Sequence, residues 1–295
     1  MIEKLPEVIG IERVDDIPLL WEQLKTMEVI RLFDKHFPHP RHWAGHLTPG
    51  EVIACWLCFI LSCGNHRVSH VQKWAEQRLH LLEALTGKRV RALDFSDDRL
   101  ADLLKQMGDR AAWQPFEQEL SSGLLSVYDL SVEIVRLDST SAKTYAGVSE
   151  GGLFQFGHSK DHRPDLAQVK ISLASLDPLG LPVSTTVVEG NAADDPLYEP
   201  EVTRVRETTG QRRLLYVGDQ KMAALETRAF IGGGGDYYLC PLGLKQLSES
   251  ARAALIEELF AKQHEPRIII KPETGEPIGV GFEITSLRTA AFTGG

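Results

Sequence analysis

Two strand-like runs, each with an aspartate at or near its end, constrain the fold of this 295-residue chain more than any other feature. They are residues 132–140 (VEIVRLDST) and 213–220 (RLLYVGDQ), which contain Asp138 and Asp219. Burying an unpaired charge inside a sheet destabilises the fold by roughly several kcal/mol, so an acid in an apolar strand needs a partner. The two runs therefore predict adjacent strands that bring both carboxylates to one divalent metal ion.

Before this pair, the chain shows helical patterning without a strand signal. Residues 48–51 (TPGE) are the clearest helix start, with a capping Thr, a Pro in the first turn and a Glu three residues after the cap. We predict an all-α domain over residues 1 to 125, with helices at 17–27, 49–62, 68–85, 97–108 and 111–120.

From Ser131 the hydrophobic period changes to that of strands. Strands are predicted at 132–138, 167–176, 181–189, 213–220 and 237–239, and helices at 197–209, 223–230 and 246–262. Residues 177–180 (DPLG) are a strong turn signal between the second and third strands. The order predicts an α/β unit with an antiparallel meander and parallel crossovers in one mixed five-stranded sheet, flanked by helices.

In such a sheet the first and fourth strands are neighbours, which places Asp138 beside Asp219. Magnesium prefers carboxylate oxygens and keeps several waters for substrate phosphates. A lone acid at a strand end is more often a turn residue or a helix cap. Two such acids on neighbouring strands favour the metal site.

Composition limits the partners. The formal net charge of −9 argues against nucleic acid, because dedicated nucleic-acid binders are usually basic. Basic segments at residues 160–170 and 88–91 argue for it locally. Four cysteines do not make a disulfide framework in a chain of this length and fit a reducing cytoplasm. We see no signal peptide, and the longest apolar stretch is too short to span a bilayer.

Several segments resemble DDE-type insertion-sequence transposases, whose catalytic core has the ribonuclease H-like fold. The resemblance covers most of the chain, and residues 157–169 are its most specific part. The matching segments are 137–141 (LDSTS), 157–169 (GHSKDHRPDLAQV), 190–194 (GNAAD), 216–219 (YVGD) and, in the helical block, 93–100 (LDFSDDRL).

The resemblance implies a metal-dependent enzyme that cuts DNA at element ends and joins the 3′ ends to target DNA. It implies Mg²⁺ or Mn²⁺ as cofactor, with Asp138 and Asp219 as two of three acidic ligands. It also implies self-association in a synaptic complex, a helical accessory domain for DNA-end binding or dimerisation, and a cytoplasmic protein that joins the nucleoid when bound to DNA.

The third acid of that family is a glutamate on a helix beyond a β-rich insertion, within a Tyr/Arg/Glu/Lys signature. No such signature precedes Gly295, so we expect a catalytic core at residues 130 to 265 and the truncated start of an insertion at 266 to 295. Glu257 and Glu258 are weaker substitutes and would make a metal-dependent nuclease without strand transfer. A non-catalytic DNA-binding remnant that regulates transposition is the alternative.

The candidate DNA contacts are Lys160, His162, Arg163 and Asn191. Arginine pairs bidentately with phosphate, but Arg163 and His162 are equally able to pin their loop through neighbouring aspartates. Asn191 has a second interpretation as a cap for the following helix. Residues 88–91 (KRVR) form the best basic patch of the helical block, where a solvated surface loop is the favoured interpretation.

Two other motifs have non-functional interpretations that we favour. The cysteines and histidines of residues 55–70 have zinc-ligand chemistry, yet Cys55 and Cys58 fall on one side of an apolar helix, as core residues do. Residues 232–235 (GGGG) lack the Gly-Lys-Ser/Thr of a phosphate loop and read as a flexible connection.

Overall fold

The computed structural model describes residues 11–157, 163–193, 195–243, 248–261, 265–271 and 274–282. They form two compact units, with the principal boundary between Ser131 and Val132. The first unit is helical, and the second is built on a mixed five-stranded sheet with flanking helices. This confirms the predicted fold class.

Seven α-helices lie in the described part of the first unit. They are α1 (Ile17–Thr26), α2 (Val29–His36), α3 (Pro49–Cys63), α4 (Val71–Glu76), α5 (Leu79–Thr86), α6 (Asp97–Met107) and α7 (Arg110–Val127). The predicted start of α3 is confirmed as a capping box: the Thr48 hydroxyl accepts from the Glu51 amide at 3.2 Å, and the Glu51 carboxylate accepts from the Thr48 amide at 2.7 Å.

The core of this unit is aliphatic and aromatic, with α3 at its centre. Phe33 of α2 and Phe37, which follows that helix, pack against Phe116 of α7, with ring centroids 5.6 and 5.4 Å away. Helices α2 and α3 approach closely at Gly50, whose amide donates to the Asp34 carboxylate at 2.7 Å. Among described residues no single helix has the length and hydropathy of a membrane span; α3 and the segment Val68–Glu76 reach them only together, across a 94° bend.

Two features of the helical unit differ from prediction. Helix α2 was not predicted, because the residue before it, Glu28, has a positive φ of 58° and its side chain makes no capping bond. The predicted helix at 68–85 is broken into a 3₁₀ turn, α4 and α5. At the break Arg78 is buried: its guanidinium donates to the Trp74 carbonyl at 3.3 Å, at the end of α4, and to Asp15 at 3.3 Å.

A charge cluster is centred on the buried Asp94 and includes Arg91 and Arg99. The side chain of Asp94 is fully buried and accepts from Arg91 Nη2 at 2.6 Å, from Arg99 Nη1 at 2.8 Å and from the Arg91 amide at 2.9 Å. Both arginines also donate to the carbonyl of Ala44, and Arg99 lies over the Trp43 ring. The cluster therefore fixes the loop that precedes α3.

The sheet of the second unit has the order β3-β2-β1-β4-β5. Strands β1, β2 and β3 are antiparallel neighbours, β4 runs parallel to β1, and β5 runs parallel to β4. The elements are β1 (Ile134–Thr144), β2 (Ala167–Leu176), β3 (Leu181–Glu189), α8 (Tyr198–Thr209), β4 (Leu215–Gly218), α9 (Leu225–Gly233), β5 (Tyr237–Leu239), α10 (Glu249–Phe260), β6 (Pro266–Ile270) and β7 (Pro277–Phe282).

Strands β2, β3 and β5 have the predicted bounds, and β1 is longer than predicted. Its extension beyond Asp138 is rich in Ser and Thr and lacks an apolar pattern. That extension is stabilised by pairing with β2, whose register runs from Val135↔Leu176 to Thr144↔Ala167. The extra length thus depends on a partner strand, which local patterning does not encode.

The two faces of the sheet differ in burial. Along β1, Val135, Leu137 and Ser139 are buried, whereas Arg136 and Asp138 are exposed. Helix α8 is tied to the buried face, where the Ser184 hydroxyl of β3 donates to the Glu201 carboxylate. The opposite face is the one that carries Asp138.

Buried polar groups join the C-terminal ends of α8 and α9 to the N-terminal ends of β4 and β5. Arg206 Nε donates to Asp236 at 2.8 Å, and Asp236 also accepts from the Leu214 amide at 3.0 Å. The Arg206 guanidinium occupies the place that a side chain at Gly234 would take. Gly234, the residue at the C-cap of α9, therefore leaves room for this arginine.

Candidate functional site

The strand register brings Asp138 and Asp219 to the same edge of the sheet. Arg136 of β1 is paired with Val217 of β4, and each aspartate lies two residues beyond its member of that pair. Side chains two residues apart in a strand share a face, and neighbouring strands are about 4.8 Å apart. Asp219 follows the end of β4 with extended backbone angles, φ −77° and ψ −175°, which continues that alternation.

Asp138 is exposed, which corrects the expectation that its strand buries it. The strand β1 is buried on one face only, and Asp138 belongs to the other. One of its oxygens, Oδ1, accepts from the Ser139 amide at 2.7 Å. Asp138 is therefore a candidate metal ligand because of its register with Asp219, and not because burial requires its charge to have a partner.

Asp219 is half-buried and caps a short 3₁₀ turn, Gln220–Ala223. Its Oδ1 accepts from the Lys221 amide at 2.9 Å and from the Tyr198 hydroxyl at 2.7 Å. The capping interpretation of this aspartate is therefore correct, and it uses one oxygen. Among the described residues no hydrogen bond reaches the Oδ2 of Asp138 or of Asp219.

Tyr198 is the residue that the sequence did not single out. It is the first residue of α8 and is only 2% exposed. A buried tyrosine normally finds a partner for its hydroxyl, and in this protein that partner is Asp219.

No third acid joins the pair within the described residues. No group of three or more His, Cys, Asp or Glu side chains suited to a metal ion occurs there. Glu257 and Glu258 lie on exposed positions of α10, as surface helix residues do.

The structure describes two of the four candidate DNA contacts, Arg163 and Asn191. Lys160 and His162 lie outside the described residues, as does Asp194 of the 190–194 segment. Arg163 is half-exposed and makes two bonds to Asp165, from Nε at 2.8 Å and from Nη2 at 2.7 Å, and this pairing raises the pKa of Arg163. Asn191 is exposed in the turn after β3 and forms no capping bond within the described chain.

Two further basic segments are tied into the protein. Lys170 is buried, and its ammonium donates to the Ala192 carbonyl, which fixes the segment after β3. In the patch at 88–91, Lys88 pairs with Glu51 at 2.8 Å and Arg91 belongs to the Asp94 cluster. Arg89 is exposed. Most of the positive charge of this patch is therefore paired with acidic side chains of the helical unit.

The cysteines of α3 are core residues, as the favoured interpretation has it. Cys55 and Cys58 are fully buried, and burial raises the pKa of Cys55 well above its ordinary value and that of Cys58 to about 12. A cysteine that binds zinc must be a thiolate, and burial in this core disfavours the thiolate. His70 instead contacts the Asn65 amide at 3.0 Å.

A family model described as a domain of unknown function, DUF4277, matches residues 9–118. Comparison with curated proteins finds no significant match. The match is confined to the helical part of the chain, so it does not bear on the two aspartates.

Among solved structures, a piggyBac transposase synaptic complex with hairpin DNA is similar at 12% identity and a TM-score of 0.36, over 79% of this chain and 52% of that one. A Mos1 transposase paired-end complex is similar at 9% identity and 0.27, over 86% and 92%. Endonuclease V of Ciona intestinalis with a 24mer DNA gives 12% and 0.25, over 59% and 76%. The chain spans about half the length of the piggyBac protein. With TM-scores this low, none of these likenesses assigns an activity to the chain.

Proposed function

We propose that the second unit is the catalytic core of a metal-dependent DNA transposase, in which Asp138 and Asp219 bind a Mg²⁺ or Mn²⁺ ion. The observation that supports this proposal is the register of β1 and β4, in which Arg136 pairs with Val217 and each acid lies two residues beyond its member of that pair. The resemblance of residues 137–141, 157–169 and 216–219 to transposase motifs supports DNA transposition as the reaction.

The donor set fits a hard divalent ion. Each carboxylate has its Oδ1 held by an amide and keeps an Oδ2 with no hydrogen bond from the described residues. Mg²⁺ is commonly bound through one or two carboxylates, with waters and substrate phosphates as its other ligands. When bound, such an ion activates a water or a 3′-hydroxyl and stabilises the leaving oxygen of a phosphodiester.

DNA is the partner that this chemistry requires. Arg163, together with Lys160, His162 and Asn191, is proposed to contact the phosphate backbone near the acids. For Arg163 this means exchanging Asp165 for a phosphate, an exchange that the exposure of both side chains permits. Self-association of the chain on paired DNA ends stays a prediction.

The second candidate function is a non-catalytic DNA-binding protein that occupies element ends. It is favoured by one observation: within the described residues, no third acidic side chain completes the Asp138–Asp219 pair. A transposase of this type needs a third ligand, whereas a DNA-binding protein does not.

The test is Mn²⁺ binding by calorimetry, with and without a short DNA duplex, followed by nicking of supercoiled plasmid in Mn²⁺. Wild type is compared with Asp138→Asn/Asp219→Asn. The matched control is Asp97→Asn/Asp98→Asn, which removes two negative charges from exposed positions of α6.

We expect wild type and the control to bind Mn²⁺ and the Asp138/Asp219 double variant to lose that binding. Nicking lost in the same variant supports the catalytic proposal. Metal binding without nicking by wild type favours the DNA-binding alternative. Equal Mn²⁺ binding by wild type and the double variant would show that the two acids do not form the site.

A further inference from the structure

A buried hydroxyl lies against one of the two acids. Tyr198 is almost fully buried, and its hydroxyl donates to Asp219 Oδ1 at 2.7 Å. The bond joins the first residue of α8 to the residue after β4, which lies 21 positions later in the chain. It is therefore a tertiary contact between the helix layer and the acid.

The helix that carries Tyr198 is firmly attached to the sheet. Arg204 Nη1 donates to the Thr185 carbonyl at 2.9 Å and to the Thr186 hydroxyl at 2.6 Å. One helical turn earlier, Glu201 accepts from the Ser184 hydroxyl. These bonds fix α8 along β3, so the Tyr198 hydroxyl is held in place independently of Asp219.

The two acids differ in how they are held. Asp138 has one bond, from the amide of the next residue, Ser139. Asp219 has two bonds on the same oxygen, one from the Lys221 amide and one from Tyr198. Two donors that converge from different elements fix the carboxylate plane, and they leave Oδ2 as the oxygen directed away from both.

We propose that Tyr198 is a positioning residue for the metal site, which orients Asp219 so that its Oδ2 is available to the ion. This role rests on the proposed function, because it needs Asp219 to be a ligand. Partners that hydrogen-bond metal-ligating carboxylates typically change metal affinity or activity by about 10–100-fold when they are removed. Tyr198→Phe removes the hydroxyl and keeps the buried ring.

The protein offers a matched control in Tyr216 of β4. Its side chain is fully buried like that of Tyr198, and its hydroxyl has no hydrogen-bond partner among the described residues. Tyr216→Phe therefore removes a buried tyrosine hydroxyl from β4 without removing a bond to an acid. A general effect of losing a buried hydroxyl would appear in both variants.

The experiment measures Mn²⁺ affinity by calorimetry for wild type, Tyr198→Phe, Tyr216→Phe and Asp138→Asn/Asp219→Asn, with thermal unfolding of each metal-free protein. We expect Tyr198→Phe to bind Mn²⁺ roughly 10–100-fold more weakly than wild type and Tyr216→Phe to bind equally. A purely structural role for Tyr198 would lower the unfolding temperature and leave Mn²⁺ affinity unchanged.

Equal Mn²⁺ affinity of wild type and Tyr198→Phe would overturn the role of Tyr198 and leave the metal site intact. A parallel loss of affinity in Tyr216→Phe would overturn it as well, because the effect would not be specific to Asp219. Absence of Mn²⁺ binding in wild type, or its persistence in the Asp138/Asp219 double variant, would instead overturn the proposed function and the role of Tyr198 with it.

Discussion

Replacing Asp94 by alanine is expected to cost the helical unit a large share of its stability. The Asp94 carboxylate is fully buried and is bonded to Arg91, to Arg99 and to a backbone amide. Its removal leaves the guanidinium of Arg99, 12% exposed, without its carboxylate partner. Burial already lowers the pKa of Arg99, even with Asp94 beside it, which shows that the charge is poorly hydrated there.

The magnitude follows from burial. Removing one partner of a buried ion pair costs about 3–5 kcal/mol, because the other charge stays buried. Arg91 contributes less, since its side chain is 39% exposed and regains water. Against a total stability of about 5–15 kcal/mol, a loss of about 4 kcal/mol is severe. At a urea slope of about 2 kcal/mol/M, it lowers the unfolding midpoint by roughly 2 M.

The assay is urea unfolding followed by tryptophan fluorescence, because all five tryptophans lie before Val132 and report on this unit. Glu22→Ala is the control: its pair with Lys25 at 3.0 Å has both side chains at least half exposed, so the loss is below about 1 kcal/mol. Asp94→Asn, which keeps an acceptor for the Arg91 amide, is expected to fall between them. A midpoint for Asp94→Ala within error of that of Glu22→Ala would refute the reasoning from burial.

Two further predictions concern the same unit and use the same assay. Gly50→Ala places a Cβ 2.3 Å from the Ile30 carbonyl oxygen and forces α2 and α3 apart, so we expect the free energy of unfolding to fall by about 1–3 kcal/mol. The control is Gly123→Ala on α7, where the added Cβ enters open space, so its effect is expected to be neutral or stabilising. An equal loss of stability in both variants would contradict this prediction. Hydrogen bonds from Trp43 and His42 lower the pKa of Asp102 below its unfolded value, so its contribution is complete above about pH 4 and is lost as the pH falls through the folded pKa. The free energies of unfolding of wild type and Asp102→Asn should therefore differ by less than about 1 kcal/mol at pH 6 and should converge as the pH falls below about 4. A gap that widens in acid would contradict the assigned sign.

The sequence predicted the elements whose signals are local. The bounds of β2 and β3 follow from apolar patterning and from the turn 177–180, and the start of α3 follows from Thr48 and Glu51. Helix α2 was not predicted because Glu28, which precedes it, makes no capping bond. The break at Arg78 and the far half of β1 were not predicted, because each depends on a distant partner. A buried guanidinium or a paired strand leaves no periodic trace in its own segment.

The candidate site divides in the same way. The neighbouring positions of Asp138 and Asp219 follow from strand order alone, once β1 and β4 are identified. The exposure of Asp138 was not expected, because the residues of β1 do not themselves show that only one face of the strand is buried. The contact of Tyr198 with Asp219 depends on how α8 lies on the sheet, which no local pattern in residues 190–200 specifies.

Strand β1 is braced unequally along its length. From Ile134 to Leu137 it is hydrogen-bonded to β2 on one side and to β4 on the other, and beyond Asp138 the described chain gives it only β2. Backbone amides braced on both sides exchange with solvent only in large opening events, whereas those on a single ladder exchange through smaller ones. Asp138 therefore stands where the bracing of β1 changes: the residues before it pair with strands on both sides, and the described residues after it pair with β2.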